Sequence, residues 1–199
     1  PAIACLLPTL KRPVVLIDAG ANSSCEPEML YQFAIMGSIF TQQVLGYEEP
    51  RIGVLNIGGE AGKGNELAQN TYKLLSEKTD KINFVGNVEG RELFQGVCDV
   101  LVCDGFVGNV TLKVTEGVAS MLFHLIKQKF KSSFLVRLAA LIAAPVLMDL
   151  KKNTNYEEYG GALLLGVKGI TVIAHGGSKA KAIKNAVRVA KESVEKDIN

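Results

Sequence analysis

Short apolar runs alternate with longer amphipathic stretches along this chain. Such runs predict buried strands at Val14–Ile17, 52–57, 82–85, 100–103 and 170–174. Most of them lead into glycine, asparagine or aspartate, which favour turns. The pattern therefore predicts repeated units of strand, loop and helix.

The stretches after the turns carry apolar residues at three-to-four spacing, which is typical of a helix with one buried face. The first predicted helix begins near Pro27 and stops at Gly46, and the second covers 65–75. A long third helix is predicted from Asn109 onward, and a further one from Ser178. The third helix is expected to turn these residues inward: Val114, Val118, Met121, Leu122 and Leu125.

Alternating strands and helices imply parallel strands joined by right-handed crossovers. The predicted fold class is α/β, with three layers in which a mainly parallel sheet carries helices on both faces. In such a sheet every strand-to-helix loop lies at the carboxyl edge, where ligands bind. Five loops are expected to meet there: 18–22, 58–64, 86–91, 104–109 and 175–179.

These loops are rich in glycine, and they carry Lys63, Arg91 and Lys179. Backbone N–H groups exposed by glycine and by helix amino termini favour anions such as phosphate. For any single loop a tight turn is the better explanation. Five such loops at one edge favour an anion-binding site.

The composition supports a globular domain and narrows the partners. Of 199 residues, 48% are hydrophobic, and 22 basic against 20 acidic residues leave a net charge of +2. A balanced charge without a long basic stripe argues against nucleic acid as a partner. The spacing of the cysteines does not suit zinc, and we expect them to pack as small apolar side chains: Cys5, Cys25, Cys98 and Cys103.

Nucleotide-binding and hydrolase motifs fit the chain poorly. Lys63 is followed by glycine where a P-loop needs serine or threonine, and Leu67 stands where a dinucleotide fingerprint needs its third glycine. The segment 176–180 resembles a nucleophile elbow only in part. His175 ends a predicted strand at the ligand-binding edge and stays a candidate, whereas His124 lies inside a predicted helix.

An apolar stretch at 134–148 is interrupted by Arg137 and Pro145 and is too short to span a membrane. Two interpretations stay open: an apolar helical hairpin on an anionic membrane surface, or an ordinary core or dimer helix pair. Lysines flank the stretch on both sides: Lys127, Lys129, Lys131, Lys151 and Lys152.

Several ordered motifs together resemble one known family, the PlsX family of bacterial phosphate acyltransferases. The resemblance covers essentially the whole chain. The motifs that carry it are Val14-Val-Leu-Ile-Asp-Ala-Gly-Ala-Asn22, Leu55-Asn-Ile-Gly58, Lys63-Gly-Asn-Glu66, Phe84-Val-Gly-Asn-Val-Glu-Gly-Arg91, Val102-Cys-Asp-Gly-Phe-Val-Gly-Asn109 and Tyr159-Gly-Gly161.

The resemblance implies transfer of a long-chain fatty acyl group from acyl carrier protein to inorganic phosphate. The acyl phosphate would serve the next enzyme of phospholipid synthesis, the acyl-phosphate glycerol-3-phosphate acyltransferase. The resemblance also implies a fold similar to the isocitrate and isopropylmalate dehydrogenases, and a homodimer that is cytoplasmic and peripherally bound to an anionic membrane surface. No metal or cofactor is required, because phosphate is already a nucleophile and a thioester is already activated.

Site residues follow from the same resemblance. Lys63 and Asn109 match the family's catalytic lysine and asparagine, and the backbone amides of Gly105 and Gly108 would complete an anion site. For each residue the alternative is a turn or a helix cap. Residues expected to bind phosphate or the acyl substrate are Asn22, Gly58, Asn65, Arg91, Asp104, Gly105, Gly108, His175 and Ser178. Residues expected to contact the membrane are Leu135, Leu138, Leu141, Ile142 and Leu147.

Residues 1–199 are interpreted as a single α/β catalytic domain with an apolar helical hairpin at about 130–150. Members of the resembled family begin with a strand and an Asp-Ala-Met-Gly-Gly-Asp segment that this sequence lacks, so we expect a C-terminal fragment of a longer chain. Two alternatives stay open: a fold relative that oxidises a hydroxy acid with NAD, and a non-catalytic module that docks carrier protein on membranes.

Overall fold

The computed structural model describes residues 1–131, 133–154, 161–174, 180–196 and 198. A short 3₁₀ helix at Gly90–Gln95 precedes the fifth strand. In chain order the strands and α-helices are β1 (Ala2–Leu7), β2 (Val14–Ile17), α1 (Pro27–Leu45), β3 (Arg51–Asn56), α2 (Glu66–Ser76), β4 (Asn83–Glu89), β5 (Val100–Val102), α3 (Gly105–Lys129), α4 (Phe134–Thr154), β6 (Ala162–Leu165), β7 (Val172–Ile173) and α5 (Ala180–Glu195).

Within the described residues, seven strands form one sheet in the order β4-β3-β5-β2-β1-β6-β7. The neighbours among β4, β3, β5 and β2 pair in parallel. β1 pairs antiparallel with β2 and with β6, and β7 pairs antiparallel with β6. The predicted α/β class with a mostly parallel sheet is confirmed.

Helices cover both faces of this sheet, as predicted. Successive residues of β2 point to opposite faces. Val15 and Ile17 join an apolar cluster that contains Phe33 of α1. Leu16 joins a second cluster, against which Val107 of α3 packs. The two clusters form the two halves of the core.

α1 begins and ends where the sequence predicts. Pro27 lies in its first turn, and Gly46 follows its last turn with a φ of +71°, which glycine adopts without steric strain. Gly37 lets the helix lie close to the sheet, because a side chain there would meet a methyl carbon of Val100 at 2.6 Å. Local signals thus define this helix at both ends.

β4 is longer than the strand predicted at 82–85. Gly86, with a φ of +96°, follows an extra residue at an irregularity in the β3–β4 pairing, and the strand then continues beside β3 as far as Glu89. The loop predicted at 86–91 is therefore wrong for 86–89, which belong to the strand.

The sequence did not predict β1 or β6. Because β6 directly precedes the strand predicted at 170–174, that strand runs antiparallel to its neighbour instead of parallel. Only residues 166–171 join β6 to β7, too few for a parallel crossover, so β7 turns back antiparallel to β6. β7 consequently ends at the edge opposite to the carboxyl ends of β2, β3 and β5. The expectation that all five loops follow strands ending at one edge is wrong for this strand.

α3 begins at Gly105, before the predicted start at Asn109. Asp104 caps it, since its Oδ1 accepts a hydrogen bond from the N–H of Val107 at 2.9 Å. Glycines at 105 and 108 look like loop residues in the sequence, and this explains the misplaced start.

The apolar face of α3 is not buried as predicted. Its residues are 46–59% exposed in the described chain: Val114, Val118, Met121, Leu122 and Leu125. Periodicity identifies an apolar face but not the surface that covers it. The prediction of an inward-turned face is therefore wrong for this part of the helix.

α4 is one continuous helix, Phe134–Thr154, with Pro145 inside it. The break expected at Pro145 is absent, so no hairpin lies within 134–148, and the two consecutive helices of this region are α3 and α4. None of the described helices combines the length and the apolarity that a membrane crossing requires.

Candidate functional site

A cleft of about 670 Å³ opens at the carboxyl ends of β3 and β5, between the starts of α2 and α3. Ligands bind at this edge in α/β sheets. The predicted loops at 58–64 and 104–109 both reach it. The residues that line the cleft are Leu30, Val54, Leu55, Asn56, Ile57, Gly64, Asn65, Leu67, Ala68, Gly90, Cys103, Asp104, Val107 and Thr111.

Asp18, fully buried at the end of β2, organises the turn that follows. Its Oδ1 accepts hydrogen bonds from the backbone N–H groups of Ile3, Gly20 and Ala21 at 2.9–3.0 Å. Its Oδ2 accepts from the backbone N–H and the side-chain amide of Asn22, at 2.7 and 2.8 Å. Asp18 thus holds the backbone N–H groups of this turn and the Asn22 amide in place.

α3 approaches this turn closely through two glycines. A side chain at Gly105 would meet the carbonyl oxygen of Asn22 at 2.7 Å, and one at Gly108 would overlap the carbonyl oxygen of Asp18. The N–H of Gly105 donates to the Asn22 carbonyl at 2.7 Å, and that of Gly108 donates to the Asp104 carbonyl at 2.9 Å. Because both N–H groups have partners within the chain, the expectation that they are open to an anion does not fit the geometry.

Asn109 lies in the second turn of α3, with its amide over Gly20. Its Nδ2 is 2.7 Å from the position that a side chain at Gly20 would occupy, and the residue is exposed. The amide of Asn22, by contrast, donates to Asp18 and to the Pro1 carbonyl, each at 2.8 Å. Asn22 stabilises the turn, whereas the amide of Asn109 faces solvent.

Lys63 lies in the loop between β3 and α2, and its side chain is exposed. Its Cγ is 2.8 Å from the position that a side chain at Gly58 would occupy, so the aliphatic stem crosses over that glycine. Within the described part of the chain the ammonium pairs with no carboxylate. Lys63 therefore presents a positive charge to solvent beside the cleft.

Asn65 and Asp104 cap the two helices that start at the cleft. Each accepts a hydrogen bond on Oδ1, at 2.9 Å, from the N–H three residues further along. In the first turn of α2, the N–H groups of Glu66 and Leu67 have no acceptor among the described residues. Unpaired N–H groups at a helix start attract anions.

Arg91, at the start of the 3₁₀ helix, already has an anionic partner. Its Nε lies 3.0 Å from Oε2 of Glu89, and its Nη2 donates to Oε1 at 3.1 Å. Gly90 lines the cleft, but Arg91 is not among the lining residues. The structure thus gives Arg91, which was expected to bind phosphate or the acyl substrate, a local ion pair outside the cleft.

Cys103 lines the cleft as a packed thiol. Burial, with a smaller effect from the carboxylates of Asp104 and Asp18, raises the pKa of Cys103 well above its usual value. The same causes raise the pKa of Cys25 to about 11. The interpretation of Cys98 and Cys103 as buried packing residues is confirmed.

The structure brings together only part of the predicted site. Asn65 and Asp104 line the cleft, whereas Lys63 and Asn109 lie beside it and are not lining residues. His175 and Ser178 lie outside the described residues. The described residues hold no group of three or more His, Cys, Asp or Glu side chains that could bind a metal.

Three side-chain amides without a predicted role bind the loop at 57–64: Asn56, Gln69 and Asn87. An asparagine at the end of an otherwise apolar strand prediction, 52–57, is the signal that could have identified Asn56, because a buried amide needs hydrogen-bond partners. Asn87 gave no such signal, because it fell in the loop predicted at 86–91. Gln69 lies on an exposed helix face and gave no such signal.

Comparison with known proteins matches the whole chain to one family. The family model described as fatty acid synthesis protein covers residues 1–199. A phosphate acyltransferase of Halothermothrix orenii is 52% identical over 198 residues, which is 100% of this chain and 59% of the relative. A phosphate acyltransferase of Clostridium perfringens strain SM101 is 54% identical over 198 residues, 100% of this chain and 58% of the relative. The chain therefore spans less than two thirds of the length of these relatives.

A solved structure agrees with the fold. A branched-chain phosphotransacylase from Enterococcus faecalis V583 aligns over 98% of this chain and 66% of its own, with a TM-score of 0.56 and 13% identity. At this identity the likeness concerns the fold alone. The family match and the two relatives agree with the sequence motifs: the chain belongs to the fatty acid synthesis protein family, as its resemblance to the PlsX phosphate acyltransferases predicted.

Proposed function

We propose that the protein containing this chain transfers an acyl group from a thioester to inorganic phosphate and forms an acyl phosphate. The observation that carries the proposal is the identity of 52% and 54%, over the full chain, to relatives named phosphate acyltransferase. The proposed donor is long-chain acyl carrier protein. The proposed consumer of the product is an acyl-phosphate glycerol-3-phosphate acyltransferase.

For this reaction the protein has to align phosphate with the thioester and neutralise the charge of the phosphate and of the oxyanion. A phosphate oxygen attacks the thioester carbonyl carbon, and the carbonyl becomes a tetrahedral oxyanion. The oxyanion collapses, the carbon–sulfur bond breaks, and the thiolate leaves with the carrier protein and takes a proton from water. Donors and cations placed at the two anions lower the barrier without a covalent enzyme intermediate.

Lys63 and Asn109 are the proposed catalytic residues. The exposed ammonium of Lys63 would bind the phosphate or the oxyanion, and the solvent-facing amide of Asn109 would donate a hydrogen bond to the oxyanion. The unpaired N–H groups at the start of α2 support phosphate binding next to Lys63. The apolar lining of the cleft, with Leu55 and Val107, suits the first carbons of an acyl chain.

We propose peripheral binding of α4 to an anionic membrane surface. Leu135, Leu138, Leu141 and Ile142 are 52–80% exposed, and Leu147 is half-buried. Exposed lysines precede the helix, at 127, 129 and 131. Apolar side chains at the lipid boundary and lysines at the headgroups would act together.

A homodimer is the second partner that we propose. The exposed apolar face of α3 supports it, because a second copy would cover side chains that the described chain leaves in water. Sedimentation of the protein that contains this chain, at micromolar concentration, tests this proposal. A monomer there would contradict it.

An assay of acyl phosphate formation tests the activity. With acyl carrier protein thioester as donor, we expect acyl phosphate only when inorganic phosphate is present. Lys63→Ala and Asn109→Ala should each lower turnover by about ten-fold or more, because each removes a donor to an anion. Lys73→Ala, at an exposed position of α2, is the matched control and should leave turnover unchanged. Thioester loss that is independent of phosphate would contradict the proposed activity, and a fully active Lys63→Ala variant would exclude that residue.

A further inference from the structure

Amide side chains from two neighbouring strands, β3 and β4, donate hydrogen bonds to the loop at 57–64. Asn56, at the end of β3, donates from Nδ2 to the carbonyl oxygen of Lys63 at 3.0 Å. Asn87, in β4, donates from Nδ2 to the carbonyl oxygen of Glu60 at 2.8 Å. Asn56 is only 8% exposed, and its Oδ1 accepts from the N–H of the next residue at 2.8 Å. The loop is thus fixed to the end of the sheet.

A third amide holds the same loop from α2. Nε2 of Gln69 donates to the carbonyl oxygens of Gly62 and Gly64, at 2.9 and 3.1 Å. Gly64 has a φ of +90°, and a side chain there would overlap Oδ1 of Asn56. Glycine at 64 therefore lets the loop close onto the buried amide.

The hydrogen bonds that the three amides donate to the loop all end on backbone carbonyl oxygens. In a trans peptide the C=O and the following N–H point in opposite directions. Fixing the carbonyls of residues 60, 63 and 64 toward the protein therefore directs the N–H groups of Ala61, Gly64 and Asn65 away from it. These three N–H groups have no acceptor among the described residues, and Gly64 and Asn65 line the cleft. Oriented N–H groups of this kind bind anions.

We propose that Asn56, Gln69 and Asn87 are positioning residues, which hold the backbone N–H groups of the loop 57–64 toward the phosphate acceptor. They act through the loop and do not themselves touch phosphate. The inference rests on the proposed function for the identity of the anion. The attachment of the loop can be measured without that function.

Gln69→Glu is the sharpest variant. The carboxylate has the same shape but cannot donate, and it places an oxygen against the carbonyls of Gly62 and Gly64. Gln69 is exposed and glutamate is a good helix former, so α2 should persist. Asn70→Asp is the matched control, because it adds the same charge at the next exposed position of the same helix.

Hydrogen exchange reports the attachment of the loop, and steady-state kinetics report its effect on the acceptor. In the protein that contains this chain, we expect the amide of Lys63, which donates to the Glu60 carbonyl within the loop, to exchange about ten-fold faster in Gln69→Glu than in Asn70→Asp, with α2 unchanged. We expect the KM for inorganic phosphate to rise about ten-fold in Gln69→Glu, and the KM for the acyl donor to stay the same. A purely structural role for Gln69 would not separate the two KM values.

Two results would overturn the inference: equal loop exchange in the two variants, or faster exchange with an unchanged KM for phosphate. Failure of the proposed function would look different, because even the unsubstituted protein would then make no acyl phosphate. In that case inorganic phosphate is titrated while loop exchange is followed. Protection of the loop by phosphate that is lost in Gln69→Glu supports the inference, and no protection of the unsubstituted protein overturns it.

Discussion

The inner part of α3 (105–112) and its outer part (113–129) belong to one helix but differ in how closely they pack against the rest of the chain. The inner part is capped by Asp104 and lies against the turn after β2, and Val107 and Leu112 join the core. In the outer part, Val118 and Leu122 are 46 and 50% exposed. The difference shows that a repeating pattern makes an apolar face, whereas burial depends on a neighbouring surface. For the inner part that surface lies within this chain.

Two glycine substitutions in α3 should show the largest difference in the free energy of unfolding between its inner and outer parts. Gly108→Ala places a β-carbon against the Asp18 carbonyl and should lower the free energy of unfolding by about 3 kcal/mol. Gly117→Ala meets nothing within 4 Å and should raise it by about 0.5–1 kcal/mol, since alanine favours helix. Urea denaturation of both variants measures the contrast. A Gly108→Ala variant as stable as Gly117→Ala would show that the turn after β2 does not constrain the inner part.

Buried and exposed ion pairs can be compared in the same way, and Asp99 forms the buried one. Its carboxylate is fully buried, with Nε of Arg12 at 2.9 Å and Nε of Arg51 at 3.0 Å. Burial alone would raise the pKa of Asp99, but the hydrogen bonds from Arg51 and Arg12 outweigh it and hold the pKa below its usual value. Asp99→Asn should therefore lower the free energy of unfolding by about 2 kcal/mol at neutral pH, a figure reduced for the partly exposed arginines.

The sign of the pH dependence follows from the lowered pKa of Asp99. Its contribution to stability is fully present above about pH 4, the pKa of an unfolded aspartate, and is lost as the pH falls through the folded value. The difference between wild type and Asp99→Asn in urea denaturation should shrink in acid. Glu192→Gln, which breaks the exposed pair with Arg188, is the control and should change stability by less than about 0.5 kcal/mol. If wild type and Asp99→Asn differed in the free energy of unfolding by the same amount in acid as at neutral pH, this account would be contradicted.

α4 should give the smallest effect on stability. Leu138 and Ile142 are 52 and 80% exposed, so replacing both with glutamine should change the free energy of unfolding by less than about 0.5 kcal/mol. The double variant should no longer bind anionic liposomes, whereas high salt should weaken binding of the wild type only in part. Ile183→Gln, at an exposed position of α5, is the control for lost apolar surface. A double variant that unfolds would assign α4 to a core and remove the membrane interpretation.

The features that the sequence predicted depend on neighbouring residues. Pro27 and Gly46 mark the ends of α1, and Asn65 precedes α2 as its cap, because each acts within one turn of its own backbone. The number of residues between two strands also indicates whether they run parallel. Because β6 was not predicted, the connection before the last strand looked long enough for a parallel crossover, and the predicted direction of β7 was wrong. β1 was missed because it leads directly into another strand, which does not fit the repeated unit of strand, loop and helix.

The features that escaped prediction depend on residues distant in the sequence. Gly108 looks like a loop glycine until the carbonyl of Asp18 lies against it. The N–H of Gly105, which the sequence left open for an anion, donates to the carbonyl of Asn22. Asn87 reaches the loop at 57–64 only because β4 lies beside β3. For Lys63 and Asn109 the motifs of a known family supplied the candidate roles, and their roles stay predictions.

Isotope labelling of the acceptor tests the central claim most directly. The protein that contains this chain is supplied with acyl carrier protein thioester and with phosphate labelled by oxygen-18 at every position, and the products are read by mass spectrometry. Attack of a phosphate oxygen on the thioester carbon predicts an acyl phosphate that keeps all of the labelled oxygens, including the bridging one. Free fatty acid formed without phosphate, or an acyl phosphate whose bridging oxygen is unlabelled, would contradict acyl transfer to phosphate.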